Sequence, residues 1–408
     1  MREKLLGIAP TLILLCLLSL QFAHIAQSQE DELARVYLPI VANGEEPVAE
    51  LPDPLPIPDV YTSTNPVDFM QAAAALTETK ELAYNKIGFH TGPSGNLSGI
   101  TQYFEKLDAA GVPIFIKAVD DAGPIYEVQE LGNVSGVEHI MVFRRTGGSF
   151  ELPNYDNDPI EEADIVYERL VAAWPPELDP TRVWMETINE PDKNRSEWLA
   201  EFSLALAKLA VADGRKVAMF AWSSGEPEIE HWEGEKMLEF LAYAAEHPKL
   251  VAVSLHEYSY ETGTIGRLYP WLLGRFQKLF DVVDNQGIGR PTILITEWGW
   301  EYRSVPDLNN AMEDILWASQ LYAAYPEVLG AGIWYLGGGY GSIDQQANAL
   351  IAPLGDFSVS TYFGVTKGIG KIDDSLFIDF ENYTRRQQSA AVESVVAHAK
   401  LERNPLIR

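Results

Sequence analysis

Thiol chemistry is nearly missing from this 408-residue chain, because Cys16 is its one cysteine and lies inside an apolar N-terminal run. Once that run is removed, disulfides, cysteine-ligated metals and a cysteine nucleophile are excluded together. Basic charge is scarce too. Lys and Arg total 30 against 59 Asp and Glu, a net charge of −29, so long-range repulsion disfavours nucleic acid and anionic membrane as partners. Neutral ligands meet no such penalty. No GxGxxG or GxxxxGK[ST] follows a strand-like run, which argues against nucleotide binding. Among seven histidines no HExxH or other pair has metal-ligating spacing, so neither metal nor cofactor is expected. The acidic stretch NYDNDPIEEAD, residues 154–164, lacks the ligand order of an EF-hand and reads as a solvated turn with a helix cap. No tandem repeat is evident.

What is present begins with MREK, the apolar run LLGIAPTLILLCLLSL and then AQSQEDE, the three regions of a secretory signal. Cleavage after Ser28, with Ala26 two residues before it, fits the small-x-small rule; an uncleaved membrane anchor is the rival reading. Residues 1–28 are therefore read as a signal peptide and the protein as secreted or extracytoplasmic. Residues 29–60 are acidic and carry Pro47, Pro52, Pro54, Pro56 and Pro58, too closely spaced for helix or ladder, and read as a linker. Residues 61–408 are read as a single catalytic domain.

Within that domain short β-branched runs alternate with segments of helical period, the pattern of βα units around a parallel sheet. Eight candidate strands appear at 86–90, 113–118, 138–143, 183–188, 217–222, 251–256, 292–296 and 330–335. Eight predicts an α/β fold closed as a (β/α)8 TIM barrel; an open doubly wound sheet shares the alternation but lacks its nucleotide loop here. Ile100, Tyr103, Phe104 and Leu107 keep helical spacing between a Ser98 cap and Gly111, and Leu272, Phe276, Leu279 and Val283 keep a similar stripe. Residues 337–380 read as an elaborated loop over the barrel mouth, and 386–401 as a last helix.

Two apolar runs each lead to a glutamate: WMETINEPD at 184–192 and TILITEWGW at 292–300. A carboxylate closing a buried strand is costly unless paired or working. In a βα barrel the C-terminal strand ends meet at one face, so Glu190 and Glu297 are expected to oppose each other across the mouth. Two opposed carboxylates are what glycosidic cleavage requires, with a separation of about 5 to 5.5 Å when configuration is retained.

VWMETINEPD resembles the acid/base signature of family 5 glycoside hydrolases, and TEWGW resembles the nucleophile strand of clan A retaining barrel glycosidases. The likeness covers the fourth to eighth strands best. It implies Glu190 as acid/base, Glu297 as nucleophile, Asn189 on the sugar 2-hydroxyl, His256 and Tyr258 as the clan's His-x-Tyr, and Trp334 as a sugar platform. Tyr258 is expected to donate to Glu297, and the neighbouring carboxylates to raise the pKa of Glu190. Trp298, Trp300 and Trp222 are further flat faces for sugar. The chain departs from family 5 where an Arg is usual near the second strand and a His near the third: here stand Lys117, Asp120 and Asp121, then Arg144 and Arg145. Arg144 is taken as a substitute contact to substrate, and Glu186 as a buried ion-pair partner.

The resulting expectation is a secreted, monomeric retaining glycoside hydrolase, cellulase- or mannanase-like, that cleaves a β-linked poly- or oligosaccharide. Its rivals are a transglycosylase with the same two glutamates, an inert carbohydrate-binding barrel, and a surface-anchored adhesion module. Which sugar it takes is not set by the residues.

Overall fold

Lys216–Trp222, Val251–Tyr258, Thr292–Gly299 and Val328–Trp334 are strands of seven or eight residues, buried along nearly their whole length. That is the mark of a parallel sheet covered on both faces. The computed structural model describes residues 56–263 and 265–368, all within the unit that runs from Asp53 to Arg408. The strands are β1 (Asp59–Thr62), β2 (Lys80–Ala83), β3 (Ile87–Thr91), β4 (Phe115–Val119), β5 (Ile140–Arg144), β6 (Val183–Glu186), β7 (Lys216–Trp222), β8 (Val251–Tyr258), β9 (Thr292–Gly299), β10 (Val328–Trp334) and β11 (Thr361–Thr366). Strands β3 to β10 close into a parallel barrel in sequential order, with β10 pairing back onto β3. The expected (β/α)8 barrel is therefore the fold, and each of the eight runs read from the sequence contributes one strand. The signal peptide, most of the linker and the 386–401 helix lie outside the described residues.

A helix follows each barrel strand: Ile100–Ala109, Gly123–Ser135, Pro159–Ala172, Ser196–Ala212, Glu235–Glu246, Phe276–Asn285, Leu308–Ala323 and Ile351–Ser360. Their starts are written in short polar residues. Asp158 accepts from the backbone N–H groups of Ile160 and Glu161 ahead of Pro159, and Asp307 does the same for Asn309 and Asn310, each satisfying orphan donors of the first turn. The acidic 154–164 stretch is thus a turn and cap. Two boundaries differ from the sequence reading. Gly99, in the left-handed region at φ 88°, caps the first barrel helix instead of Ser98. Leu272 is buried but precedes the helix that begins at Phe276.

The described part of 337–380 is not one loop. It contains the eighth barrel helix and β11, which returns to the opposite end of the barrel and pairs antiparallel with both β1 and β2. Since β2 ends three residues before β3 begins, this small sheet lies at the N-terminal end of the strands. The mouth is left to the connections after each strand.

Inside the barrel Phe115, Val142, Trp184, Ala218, Ala252 and Leu294 form an apolar layer. Gly88 and Gly330 make room for it: a Cβ at either would fall within 2.1 Å of the Phe115 backbone or ring. This plug gives the site above it a dry floor.

Candidate active site

Side chains alternate along a strand with period two. Two positions beyond Phe115, Val142 and Trp184 stand Lys117, Arg144 and Glu186, so a charged layer sits directly above the apolar one. Plain alternation from Leu294 would turn Glu297 away from the interior. The register between β8 and β9 shifts after Leu255↔Ile295, and the next pair is His256↔Glu297. Thr296 is the extra residue, and this bulge re-aims Glu297 to the inner face beside His256. The same step points Trp298 outward.

Glu190 lies four residues past the end of β6, on a connection with unusual backbone. Glu190, Phe220 and Ala221 have φ of 45°, 77° and 48°, and the Glu190 N–H donates to the Ala221 carbonyl at 3.0 Å. Left-handed conformations cost non-glycine residues about 1–3 kcal/mol each and persist where the surroundings aim a side chain.

The two glutamates come together. His256 Nδ1 lies 3.1 Å from Glu190 Oε1 and 3.6 Å from Glu297 Oε2, so these oxygens are separated by at most the sum, about 6.7 Å. Tyr258 donates its hydroxyl to Glu297 Oε2 at 2.8 Å. On the other oxygen, Glu297 Oε1 accepts from Lys117 Nζ at 3.3 Å, with Arg144 Nη2 at 4.0 Å and His90 Nδ1 at 3.8 Å. Lys117 and Arg144 are themselves tied to Glu186 Oε1, at 2.6 and 3.2 Å, and Arg144 also reaches Glu151 at 3.0 Å. Glu186 is the buried ion-pair partner expected of it.

Burial alone would push the Glu297 carboxyl up, but the charges of His256, Lys117, His90 and Arg144 outweigh it and hold the group well below the carboxylate range. His90 is buried and faces Lys117, which keep its imidazole well below the ordinary histidine value. Glu190 differs from expectation. Burial and the Glu297 charge raise its pKa, yet the hydrogen bond and charge of His256 win and lower it. Its side chain keeps 33 % exposure against 11 % for Glu297, open to a ligand entering the mouth.

The remaining expected contacts divide. Asn189 sits beside Glu190 with its backbone N–H on the Glu151 carbonyl at 2.9 Å and its Oδ1 buried with no partner. Trp334 stands half-buried at the mouth, edge-on to Tyr258 with ring centres 6.3 Å apart. Trp298 is corrected: facing outward, it is fully buried and packs against Trp300 at 5.0 Å, and Trp222 is buried likewise. None of these three can meet a sugar. Arg144, expected at the substrate, is a buried member of the charged layer, paired with Glu186 and Glu151. Sequence reasoning left Lys117 unassigned and passed over His90, although both occupy C-terminal strand ends, where barrel sites are built. Among the described residues no group of three or more His, Cys, Asp or Glu is placed to hold a metal ion.

These features define a TIM barrel with two glutamates bridged by one histidine at its C-terminal mouth. No family model and no curated protein matches the chain. Solved structures similar to it include a family 5 xyloglucanase from Paenibacillus pabuli in complex with ligand, 14 % identical, covering 67 % of this chain and 99 % of that one at a TM-score of 0.39. A Bacteroides ovatus family 5 xyloglucanase in complex with a heptasaccharide is also 14 % identical, covering 72 % and 78 % at a TM-score of 0.38. An endo-β-1,4-glucanase from Xanthomonas axonopodis pv. citri is 13 % identical, covering 67 % and 99 % at 0.38. At such TM-scores and identities the likenesses carry no argument; the fold rests on the closed barrel and the chemistry on the site itself.

Proposed function

We propose that the protein is a retaining glycoside hydrolase acting on a β-linked poly- or oligosaccharide, with Glu297 as nucleophile and Glu190 as acid/base. The observation that carries this reading is the bridging of both carboxylates by His256 Nδ1, since the resulting ceiling of about 6.7 Å lies below nearly all of the ~6.5–9.5 Å range of inverting enzymes. The environments also divide the labour. Glu297, surrounded by cations and Tyr258, stays ionised to attack the anomeric carbon while the glycosidic C–O bond breaks. Glu190, partly exposed, gives its proton to the leaving oxygen. A sugar seated at Trp334 displaces water from around Glu190, and the loss of solvation favours the protonated carboxyl from which that proton is given. In the second half, Glu190 takes a proton from water as that water attacks the anomeric carbon and releases Glu297.

The β linkage is supported by the resemblance of VWMETINEPD and TEWGW to clan A, and export by the N-terminal apolar run. Among the described residues no helix is long and apolar enough to cross a membrane. Reducing-sugar release from β-glucans, β-mannans and xylans, beside Glu190→Gln and Glu297→Gln, tests the reading. Losing either carboxylate costs several orders of magnitude in rate. Activity that survives both substitutions would end the two-glutamate mechanism, and a folded wild type silent on every glycan would favour a binding barrel.

A further inference from the structure

We infer that Arg303 reads a carboxylate on the glycan, so that the preferred substrate is a largely neutral β-linked chain with sparse acidic, uronic-acid-type substituents. This rests on the glycosidase reading and names its substrate class. Arg303 follows β9 on the connection beyond Glu297. Its guanidinium carbon lies 4.7 Å from the ring centre of Tyr302 and 5.5 Å from that of Tyr340. Tyr302 is stacked in turn on Trp334, with ring centres 5.9 Å apart and planes 23° from parallel, and Tyr340 meets Trp334 edge-on at 5.1 Å. Tyr302 thus touches both the guanidinium and the Trp334 ring. It is a spacer that sets the guanidinium at most about 10.6 Å from the Trp334 ring, the sum of the two steps, within reach of a side group on a sugar seated there.

Position and pairing set this arginine apart. Its backbone is left-handed, φ 62°, and its carbonyl accepts from Gln346 Nε2 at 3.5 Å, on the helix Ile343–Asn348. Gly339 and Gly341, at φ 94° and 74°, place Tyr340 between them. Arg303 Nε is buried with no partner, and among the described residues no carboxylate pairs with the guanidinium, in a chain with 59 acidic groups against 30 basic ones. A planar fork held between two rings has already lost the rotamer freedom that binding would otherwise cost, and it matches a carboxylate with two parallel hydrogen bonds. Net charge bears on the density of such groups. The −29 of the whole chain opposes a polyanion, whereas its field is screened within about 8 Å at physiological salt, and an isolated acid at contact distance feels Arg303 first.

The test compares kcat/KM of the protein on a β-linked backbone with and without glucuronic acid side groups, in wild type, Arg303→Gln and Arg303→Lys. Wild type should prefer the acid-bearing chain by about tenfold, as a charge-assisted pair of this kind provides, and the preference should shrink with added salt. Arg303→Gln should abolish the ratio and Arg303→Lys should keep only part of it. A brace for the aromatic stack would lower both substrates alike and leave the ratio unmoved, which overturns the inference, as does a wild type without preference. Calorimetric binding of the acid-bearing and neutral oligosaccharides to Glu190→Gln separates the two proposals. A binding preference without turnover in the wild type keeps Arg303's role and ends the glycosidase reading, while equal binding of both sugars ends the inference alone.

Discussion

Replacing Lys117 by Met removes a cation 3.3 Å from Glu297 Oε1. At an effective dielectric of about 20 a unit pair at that distance is worth ~5 kcal/mol, a ceiling of ~3.7 pH units on the carboxyl. Arg144 and His256 stay in place, at 4.0 and 3.6 Å, and Tyr258 still donates, so the shift falls well short of the ceiling. At least about one unit is expected. The sign follows from the proposed role: as nucleophile Glu297 attacks only when ionised, so activity is lost on the acid side as pH falls through its pKa. In wild type that pKa lies far below the carboxylate range; in Lys117→Met the acid limb of kcat/KM should move up into the measurable range. The substitution also leaves Glu186 with Arg144 alone, and breaking a buried pair costs about 3–5 kcal/mol. A thermal melt therefore accompanies each profile, and Lys117→Arg, which keeps the charge, should restore the limb. A folded Lys117→Met enzyme whose kcat/KM is lowered by one factor at every pH would refute the reasoning.

Two further outcomes follow from the same geometry. Trp334→Ala removes the half-buried ring at the mouth and should raise KM on oligosaccharides by about tenfold, the ~1.5 kcal/mol upper value of an aromatic contact; an unchanged KM would show that sugars sit elsewhere. Glu257, fully buried, accepts from Tyr322 and from the Gly274 N–H at 2.7 and 2.9 Å, yet burial pushes it up from 4.5 to about 7. A raised folded pKa means its contribution is complete below pH 4.5 and lost as pH rises through 7, a swing of ~3 kcal/mol. Glu257→Gln, neutral throughout, should raise the melting temperature at pH 8 and leave it nearly unchanged at pH 4.5; an equal shift at both would place the effect in packing.

The barrel was legible because each of its strands is an apolar, β-branched run between helical stripes, and the glutamates because NEP and TEW stand at strand ends. Trp298 was misread for a local reason. Its neighbour Glu297 faces inward, and alternation alone sends the next side chain out. The bulge at Thr296 carries no composition signal, since TILITEWG reads as one smooth strand. Lys117 and Glu186 are 69 positions apart by number and meet only because the closed barrel brings the alternate strands β4 and β6 together on its inner face; no local pattern encodes that pair. The β1–β11–β2 sheet was missed for the opposite cause. KELA at β2 has little strand character, while TYFGVT at β11 has plenty and was absorbed into a supposed loop. The pKa of Glu190 went the other way because one histidine contact outweighs a second carboxylate, which is a question of ångströms.

The most direct measurement is to trap the intermediate. An activated 2-fluoro β-glycoside of the best substrate's sugar is incubated with the protein, and the peptides are mapped by mass spectrometry. One glycosyl adduct is expected on the peptide containing Glu297, absent in Glu297→Gln. Turnover of the parent glycan with no adduct, or an adduct on another carboxylate, would contradict it.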